Sequence, residues 1–129
     1  MSDKEILIHL IRQTGFVEAP FYLANKSELA KNLQEAGYTY DDDGFPRFTE
    51  KGEKLLNDFY FGNKERTITT LKRLKKLHGN SPYEYKLLCN ELGFEDDSRA
   101  HYLLVRLKQE QIISVRWNTD KDTIKVTFN

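Results

Sequence analysis

Several features that would assign the chain to a special class of protein are absent or rare. Cys89 is the single cysteine among 129 residues, which excludes the disulfide-stapled secreted scaffolds. No apolar run approaches the roughly 18 residues that a membrane-spanning helix needs. The start Met1-Ser2-Asp3-Lys4-Glu5 lacks the cationic and apolar segments of a secretion signal. These absences predict a globular cytoplasmic protein with no membrane partner.

Catalytic and metal-binding motifs are also missing. The sequence has no glycine-rich phosphate loop, no nucleophile elbow and no paired Cys/His set. His9, His78 and His101 lie far apart and lack the spacing of metal ligands. Cys89 sits in an apolar helical stretch, which is typical of a small core residue. We therefore expect neither an enzyme nor a cofactor or metal site.

Neither sign of charge dominates the chain, but the charges are unevenly distributed. Twenty Lys/Arg and twenty Asp/Glu give a net charge of zero, which argues against a strongly electrostatic polyanion binder that ignores sequence. Residues 1–62 hold 7 Lys/Arg and 11 Asp/Glu, whereas residues 63–129 hold 13 and 9. The excess positive charge therefore lies in the second half.

The start of the chain carries signals for helices. Ser2, with Glu5 three residues later, is a capping-box signature, and the apolar stripe that follows predicts a helix ending before Thr14-Gly15. A short irregular helix is expected within Gly15–Ala24. The next helix, capped by Asn25 or Ser27, is expected to end at Gly37 as its left-handed residue.

A hairpin and a further helix are predicted next. Residues 38–40 and 45–48 flank an acidic turn at 41–44, and Thr49 is expected to cap a helix that runs through Tyr60. Glu35-Ala36-Gly37-Tyr38, this hairpin and Phe48-Thr49-Glu50-Lys51-Gly52-Glu53-Lys54-Leu55-Leu56 together resemble the wing and following helix of MarR-like and PadR-like bacterial regulators. The resemblance implies a winged-helix fold.

The second half contains the clearer helix-turn-helix pattern. After a seam at Gly62-Asn63, a helix with Ile68, Leu71 and Leu74 is expected to break at Gly79-Asn80. Ser81-Pro82-Tyr83-Glu84 predicts the start of a helix that ends at Gly93. A second helix, capped by Asp97 or Ser98, is expected to run to Ile113. Residues 114–117 and 124–128 then predict a hairpin around the polar tip 118–123.

These elements predict a mostly α protein with small β-hairpins, an α+β class, built from tandem winged-helix units at 1–62 and 63–129. A compact single domain in which both hairpins join one sheet is also compatible with the sequence. Because the basic half holds the helix-turn-helix, we expect double-stranded DNA as the partner, in transcriptional or replication control in a bacterium or mobile element.

The helix at 98–113 is the expected recognition helix. A 100° step per residue places Ala100, Leu104, Leu107 and Gln111 toward the core, with Leu103 beside them. The opposite side carries Ser98, Tyr102, Val105 and Gln109. The predicted base-contacting residues are Arg99, His101, Tyr102 and Arg106. The predicted phosphate-contacting residues are Arg116, Lys121 and Lys125 on the wing and Lys72, Arg73 and Lys76 on the preceding helix.

An alternative without DNA binding is a winged-helix module for protein interaction. The turn Glu95-Asp96-Asp97 would bring carboxylates toward phosphates, and the first unit has a mixed-charge helix and an acidic wing tip. That unit could form a homodimer or hold a protein partner through Ile8 and the Phe59-Tyr60-Phe61 cluster. A positive stripe joining Arg99, Arg106, Arg116 and Lys72 favours DNA, whereas an apolar patch around Tyr102 and Val105 favours a protein. Trp117 is expected to face the core, with base stacking as the alternative.

Overall fold

The computed structural model describes residues 2–14, 28–95 and 98–129. In these ranges 59% of residues are helical and 20% are in strands, which confirms the predicted α+β class. The expected irregular helix within 15–24, the caps Asn25 and Ser27, and Asp96-Asp97 lie outside the described residues. The elements are α1 (Asp3–Arg12), α2 (Glu28–Glu35), β1 (Thr39–Asp42), β2 (Phe45–Phe48), α3 (Glu50–His78), β3 (Tyr83–Glu84), α4 (Tyr85–Leu92), α5 (Ser98–Gln109), β4 (Ile113–Asn118) and β5 (Thr123–Phe128).

The chain divides into two compact units, Met1–Phe59 and Tyr60–Asn129, called unit 1 and unit 2 below. The boundary falls inside α3. The prediction that one helix ends near Gly62-Asn63 and another begins is wrong, because α3 continues through both residues. A single glycine weakens a helix by only about 1 kcal/mol relative to alanine, and no proline interrupts this segment.

Unit 1 contains helices that begin and end as predicted where they are described. The Ser2 Oγ accepts a hydrogen bond from the Glu5 backbone N–H, 3.2 Å away, and so caps α1. Leu10 and Ile11 of the predicted stripe are fully buried. After α2, Gly37 has a φ of +84°, the left-handed conformation expected of a helix terminator.

The hairpin of unit 1 is tighter than predicted. Asp42 pairs with Phe45, so only Asp43 and Gly44 form the turn, both with positive φ. This is the signature of a two-residue turn that matches strand twist, and Asp-Gly is a preferred sequence for it. The predicted four-residue acidic turn is therefore wrong, since Asp41 and Asp42 belong to β1.

Thr49 connects this hairpin to α3. Its Oγ1 accepts a hydrogen bond from the Gly52 N–H and donates one to the Gly37 carbonyl, which confirms the predicted cap. The Thr49 N–H donates to the Tyr38 carbonyl. A Cβ atom at Gly52 would collide with that same carbonyl. Glycine is therefore what lets the first turn of α3 lie against the hairpin.

Unit 2 is built on a three-stranded antiparallel sheet with the order β3-β5-β4. The predicted hairpin is confirmed as β4 and β5. The predicted helix start at Ser81-Pro82 is wrong: Tyr83 and Glu84 form β3, and α4 begins at Tyr85. Pairing of Tyr83 with Ile124, and burial of the tyrosine, outweigh the local capping signal.

The core of unit 2 gathers apolar side chains from α3, α4, α5 and the sheet. Its buried members include Leu71, Leu74, Leu88, Cys89, Leu92, Leu104, Leu107, Ile113, Ile124 and Val126. The Cys89 thiol is buried, as predicted. Gly93 ends α4 with a φ of +76°, also as predicted. In the described part of the chain, no helix is both long and apolar enough to cross a membrane.

The expected recognition helix is shorter than predicted. α5 ends at Gln109 rather than Ile113. Gln111 adopts a φ of +62° and turns the chain so that Ile113 enters β4 and pairs with Phe128. The prediction that Gln111 faces the core is consequently wrong, because its side chain is exposed.

Candidate nucleic-acid interface

One side of α5 packs as predicted and the other does not. Ala100, Leu103, Leu104 and Leu107 are all fully buried, which confirms the core-facing side. The prediction that Tyr102 and Ser98 are exposed is wrong, since Tyr102 is only 2% exposed and Ser98 is buried as well. A base-contacting side chain must be accessible, so Tyr102 is removed from that set. Its burial also removes the apolar surface patch considered around Tyr102 and Val105.

Tyr102 is buried because a cluster from α3 and α5 covers it. The Arg106 Nη1 donates to the Tyr102 Oη at 2.7 Å, and the Arg106 guanidinium lies 4.2 Å from the ring centroid of Tyr60. The Tyr60 hydroxyl donates to the Glu110 carboxylate, which forms an ion pair with Lys64 at 3.2 Å. Arg106 is thus half-buried between aromatic rings rather than extended from the helix.

The electrostatics of this cluster follow from its hydrogen bonds. Burial raises the pKa of Tyr60, so its hydroxyl stays protonated and remains a donor. The hydrogen bond from Tyr60 lowers the pKa of Glu110, and the Lys64 ammonium acts in the same direction. Glu110 is therefore ionised at neutral pH. Together these contacts give Arg106 a packing role that the sequence pattern did not reveal.

The other arginine on this helix also lies against a ring. The Arg99 guanidinium is 4.5 Å from the ring centroid of Phe94. Arg66 approaches the same ring at 5.5 Å and donates to the Leu92 carbonyl at the end of α4. Arg99 therefore helps to cover Phe94, the residue that follows the terminating glycine of α4.

His101 packs with two aromatic residues. Its ring lies 4.6 Å from the Trp117 ring, which in turn lies 5.8 Å from the Tyr85 ring. The His101 backbone N–H donates to the Tyr85 hydroxyl at 2.9 Å. Burial lowers the pKa of His101, so the ring is neutral at pH 7. Trp117 packs against these two rings, but 37% of it is exposed, so the prediction that it faces the core is met only in part.

The predicted phosphate-contacting residues of α3 have different surroundings. Arg73 forms a 2.7 Å ion pair with Glu91. The Lys72 ammonium lies 5.7 Å from the Phe128 ring centroid. Lys76 is exposed. All three side chains are exposed, but the charge of Arg73 is balanced by a carboxylate.

The predicted wing cations lie on the outer face of the sheet or in its turn. Arg116 of β4 is directly opposite Lys125 of β5. Because register partners point to the same side, these like charges share one face. Neither forms an ion pair with any residue in the described ranges. Lys121 is exposed in the turn, where its backbone N–H donates to the Asn118 Oδ1 at 3.2 Å.

A concave surface surrounds the Arg116–Lys125 pair. One cavity of about 480 Å³ is lined by Asn80, Pro82, Arg116, Trp117, Asn118, Thr119, Thr123 and Lys125. A second, of about 290 Å³, is lined by Asn80, Ser114, Val115, Arg116, Lys125 and Thr127. We call this surface the sheet groove. Sequence reasoning missed both residues of this groove, because Asn80 was predicted only as part of a helix break and Pro82 as part of a helix start.

The surfaces predicted for protein contact also differ from those in the structure. Tyr60 is fully buried, so the prediction of an exposed Phe59-Tyr60-Phe61 cluster is wrong at its centre. Phe61 is exposed, and Phe59 and Ile8 are half-buried. The exposed aromatics that the sequence did not single out are Tyr40 (51%) and Phe45 (68%) on the unit 1 hairpin.

Comparison of the chain with protein-family models, with curated proteins and with solved structures finds no match. Within the described residues, no group of three or more His, Cys, Asp or Glu is placed to hold a metal ion. The functional argument therefore depends on the geometry of unit 2 itself.

Proposed function

We propose that unit 2 is a winged helix that binds double-stranded DNA, in transcriptional or replication control in a bacterium or mobile element. The order of its elements supports this assignment: the end of α3, then β3, α4, α5 and the β4–β5 hairpin, with β3 pairing on β5. In this arrangement α4 and α5 correspond to the helix-turn-helix, and the hairpin corresponds to the wing. For unit 1, α2 followed by a hairpin supports a second winged helix.

The observation that carries the DNA-binding proposal is the location of accessible positive charge. Arg116, Lys121 and Lys125 all belong to the wing, and none has an ion-pair partner among the described residues. The predicted base-contacting side chains, in contrast, are buried or packed on aromatic rings. This distribution supports binding dominated by phosphate contacts, with little direct recognition of bases.

The test is binding to mixed duplex fragments across a salt series. Wild type is expected to bind with an affinity that falls steeply as salt rises, and Lys121→Ala should weaken binding equally for all sequences. Lys31→Ala serves as the control, because Lys31 is an exposed cation on α2 of unit 1, outside the unit proposed to bind DNA. Absence of binding at low salt, or equal losses in both variants, would contradict the proposal.

A second candidate, self-association through unit 1, has its own supporting observation. Tyr40 and Phe45 lie on one face of the β1–β2 hairpin, together with the Asp42–Arg47 ion pair. Exposed aromatics beside a balanced charge pair are typical of protein contacts. Sedimentation equilibrium of wild type and the Tyr40→Ser/Phe45→Ser variant tests this candidate. A concentration-dependent dimer that the variant loses would support it, and a wild-type monomer would exclude it.

A further inference from the structure

We infer that the sheet groove is a binding site for one phosphoryl group, which Arg116 and Lys125 hold jointly. For the DNA ligand, this inference rests on the proposed function. Cross-strand partners have Cβ atoms about 5 Å apart, so the two long side chains can converge on a single anion. Their register is fixed by the continuous pairing of β4 with β5.

The pairing is unfavourable in the protein alone. Like charges directly opposite each other on neighbouring strands destabilise a sheet, and no carboxylate in the described ranges forms an ion pair with either residue. An oxyanion bound between them would remove the repulsion. The arginine offers a planar set of donors, and the lysine offers a compact charge, the two donor types that proteins use for phosphate.

The rest of the groove supplies neutral polar groups. Ser114 and Thr127 are register partners next to the cation pair, and Asn118 and Thr123 are partners on its other side. Asn80 contributes to both cavities. Hydroxyl and amide groups around two cations suit the several oxygens of a phosphoryl group. Pro82, Trp117 and Val115 supply the apolar part of the lining.

One acidic residue shares this face of the sheet. Glu84 of β3 is the register partner of Thr123 and therefore points to the same side as the cation pair. Glu84 precedes α4 as its N-cap residue but makes no side-chain capping bond. Its replacement by glutamine should leave the helix intact and strengthen the binding of an anion.

The first experiment measures binding of inorganic phosphate by amide chemical shifts, at constant ionic strength. We expect shifts concentrated at Asn80, Arg116 and Lys125, saturating with phosphate in wild type. These shifts should be lost in the double variant Arg116→Gln/Lys125→Gln and retained in Lys86→Gln. In Glu84→Gln they should saturate at a lower phosphate concentration. Shifts spread evenly over the protein, or unchanged in the double variant, would overturn the inference.

The second experiment distinguishes DNA from free phosphate as the source of the group. Affinity for a duplex is measured across salt, with and without a 5′-phosphate. One shared phosphate predicts that the double variant reduces the salt slope by about 0.9, whereas two separately held phosphates predict about 1.8. A requirement for the 5′-phosphate would place an end group in the groove, and indifference to it would place a backbone phosphate there.

The failures of the two proposals give different results. If wild type binds no DNA but inorganic phosphate produces the expected shifts, phosphate binding in the sheet groove is supported and DNA binding by unit 2 is refuted. If wild type binds DNA and the double variant binds with the same salt slope, the groove inference is refuted and DNA binding stands. A reduction of the salt slope near 1.8 would refute a single shared phosphate, but it would still support contacts of Arg116 and Lys125 with DNA phosphates.

Discussion

Replacement of glycine by alanine should have opposite effects on stability at two positions of α3. Gly52 lies in the first turn, where an added Cβ would collide with the Tyr38 backbone carbonyl. Gly62 lies further along the same helix, exposed, with no atom within 4 Å of an added Cβ. Gly52→Ala should therefore destabilise unit 1, and Gly62→Ala should stabilise the helix within unit 2.

The magnitudes follow from two competing effects. Alanine favours a helix over glycine by up to about 1 kcal/mol, whereas overpacking costs about 1–3 kcal/mol and sometimes more. At Gly52 the obstructing atom belongs to the backbone, so no side-chain rotation relieves it, and we expect a net loss of about 1–2 kcal/mol. At Gly62 only the helix preference remains, for which we expect a gain of about 0.5–1 kcal/mol.

Thermal unfolding provides the assay, with circular dichroism for the whole chain and Trp117 fluorescence for unit 2. For units of this size, 1 kcal/mol shifts Tm by about 4–8 °C. Gly52→Ala should lower the circular dichroism transition by roughly 4–16 °C, and Gly62→Ala should raise the Trp117 transition by roughly 2–8 °C. An unchanged Tm in Gly52→Ala would refute the close approach of Gly52 to the Tyr38 carbonyl. A destabilised Gly62→Ala would refute the continuity of α3.

Three further perturbations test the packing. Thr49→Ala should cost about 0.5–2 kcal/mol by thermal unfolding, since it removes the α3 cap, whereas Thr49→Ser should retain most of the stability; equal losses would contradict the cap. Tyr60→Phe should cost about 1–2 kcal/mol in urea at pH 7. The Tyr60 hydrogen bond lowers the folded-state pKa of Glu110 below the ordinary glutamate value of about 4.3. The cost of Tyr60→Phe should therefore be constant above about pH 4.3 and fade as the pH falls through the folded-state pKa of Glu110. A cost independent of pH would contradict this. Cys89, being buried, should react with a disulfide reagent only as unit 2 unfolds, and immediate reaction would contradict its burial.

Local signals predicted several helix ends correctly because their causes are local. Ser2 caps α1 through a hydrogen bond to a residue three positions away, and Gly37 and Gly93 end helices because a left-handed residue is needed there. The β4–β5 hairpin was likewise recognised from alternation and a polar turn. In each case the decisive interaction spans only a few residues.

The candidate site was predicted less well because accessibility depends on distant residues. The helical periodicity of α5 correctly identified its core side, but it could not show that Arg106 lies against Tyr60, 46 positions earlier in the chain, while bonded to Tyr102. Similarly, Ser81-Pro82 carries a strong helix-start signal, yet pairing with β5 makes the following residues a strand. The first limitation of the pattern placed the buried Tyr102 in the candidate interface, and the second error hid Pro82.

The sequence by itself determined the α+β class, most described helix ends and the positive charge of the second half, because composition, capping and periodicity act over short distances. Tertiary structure decided which charged residues are accessible. Arg106 is packed against aromatic rings because α3 supplies Tyr60, and Arg116 faces Lys125 because strand register sets cross-strand neighbours. Burial and register depend on contacts between residues far apart in the chain, so the pattern along one segment cannot determine them.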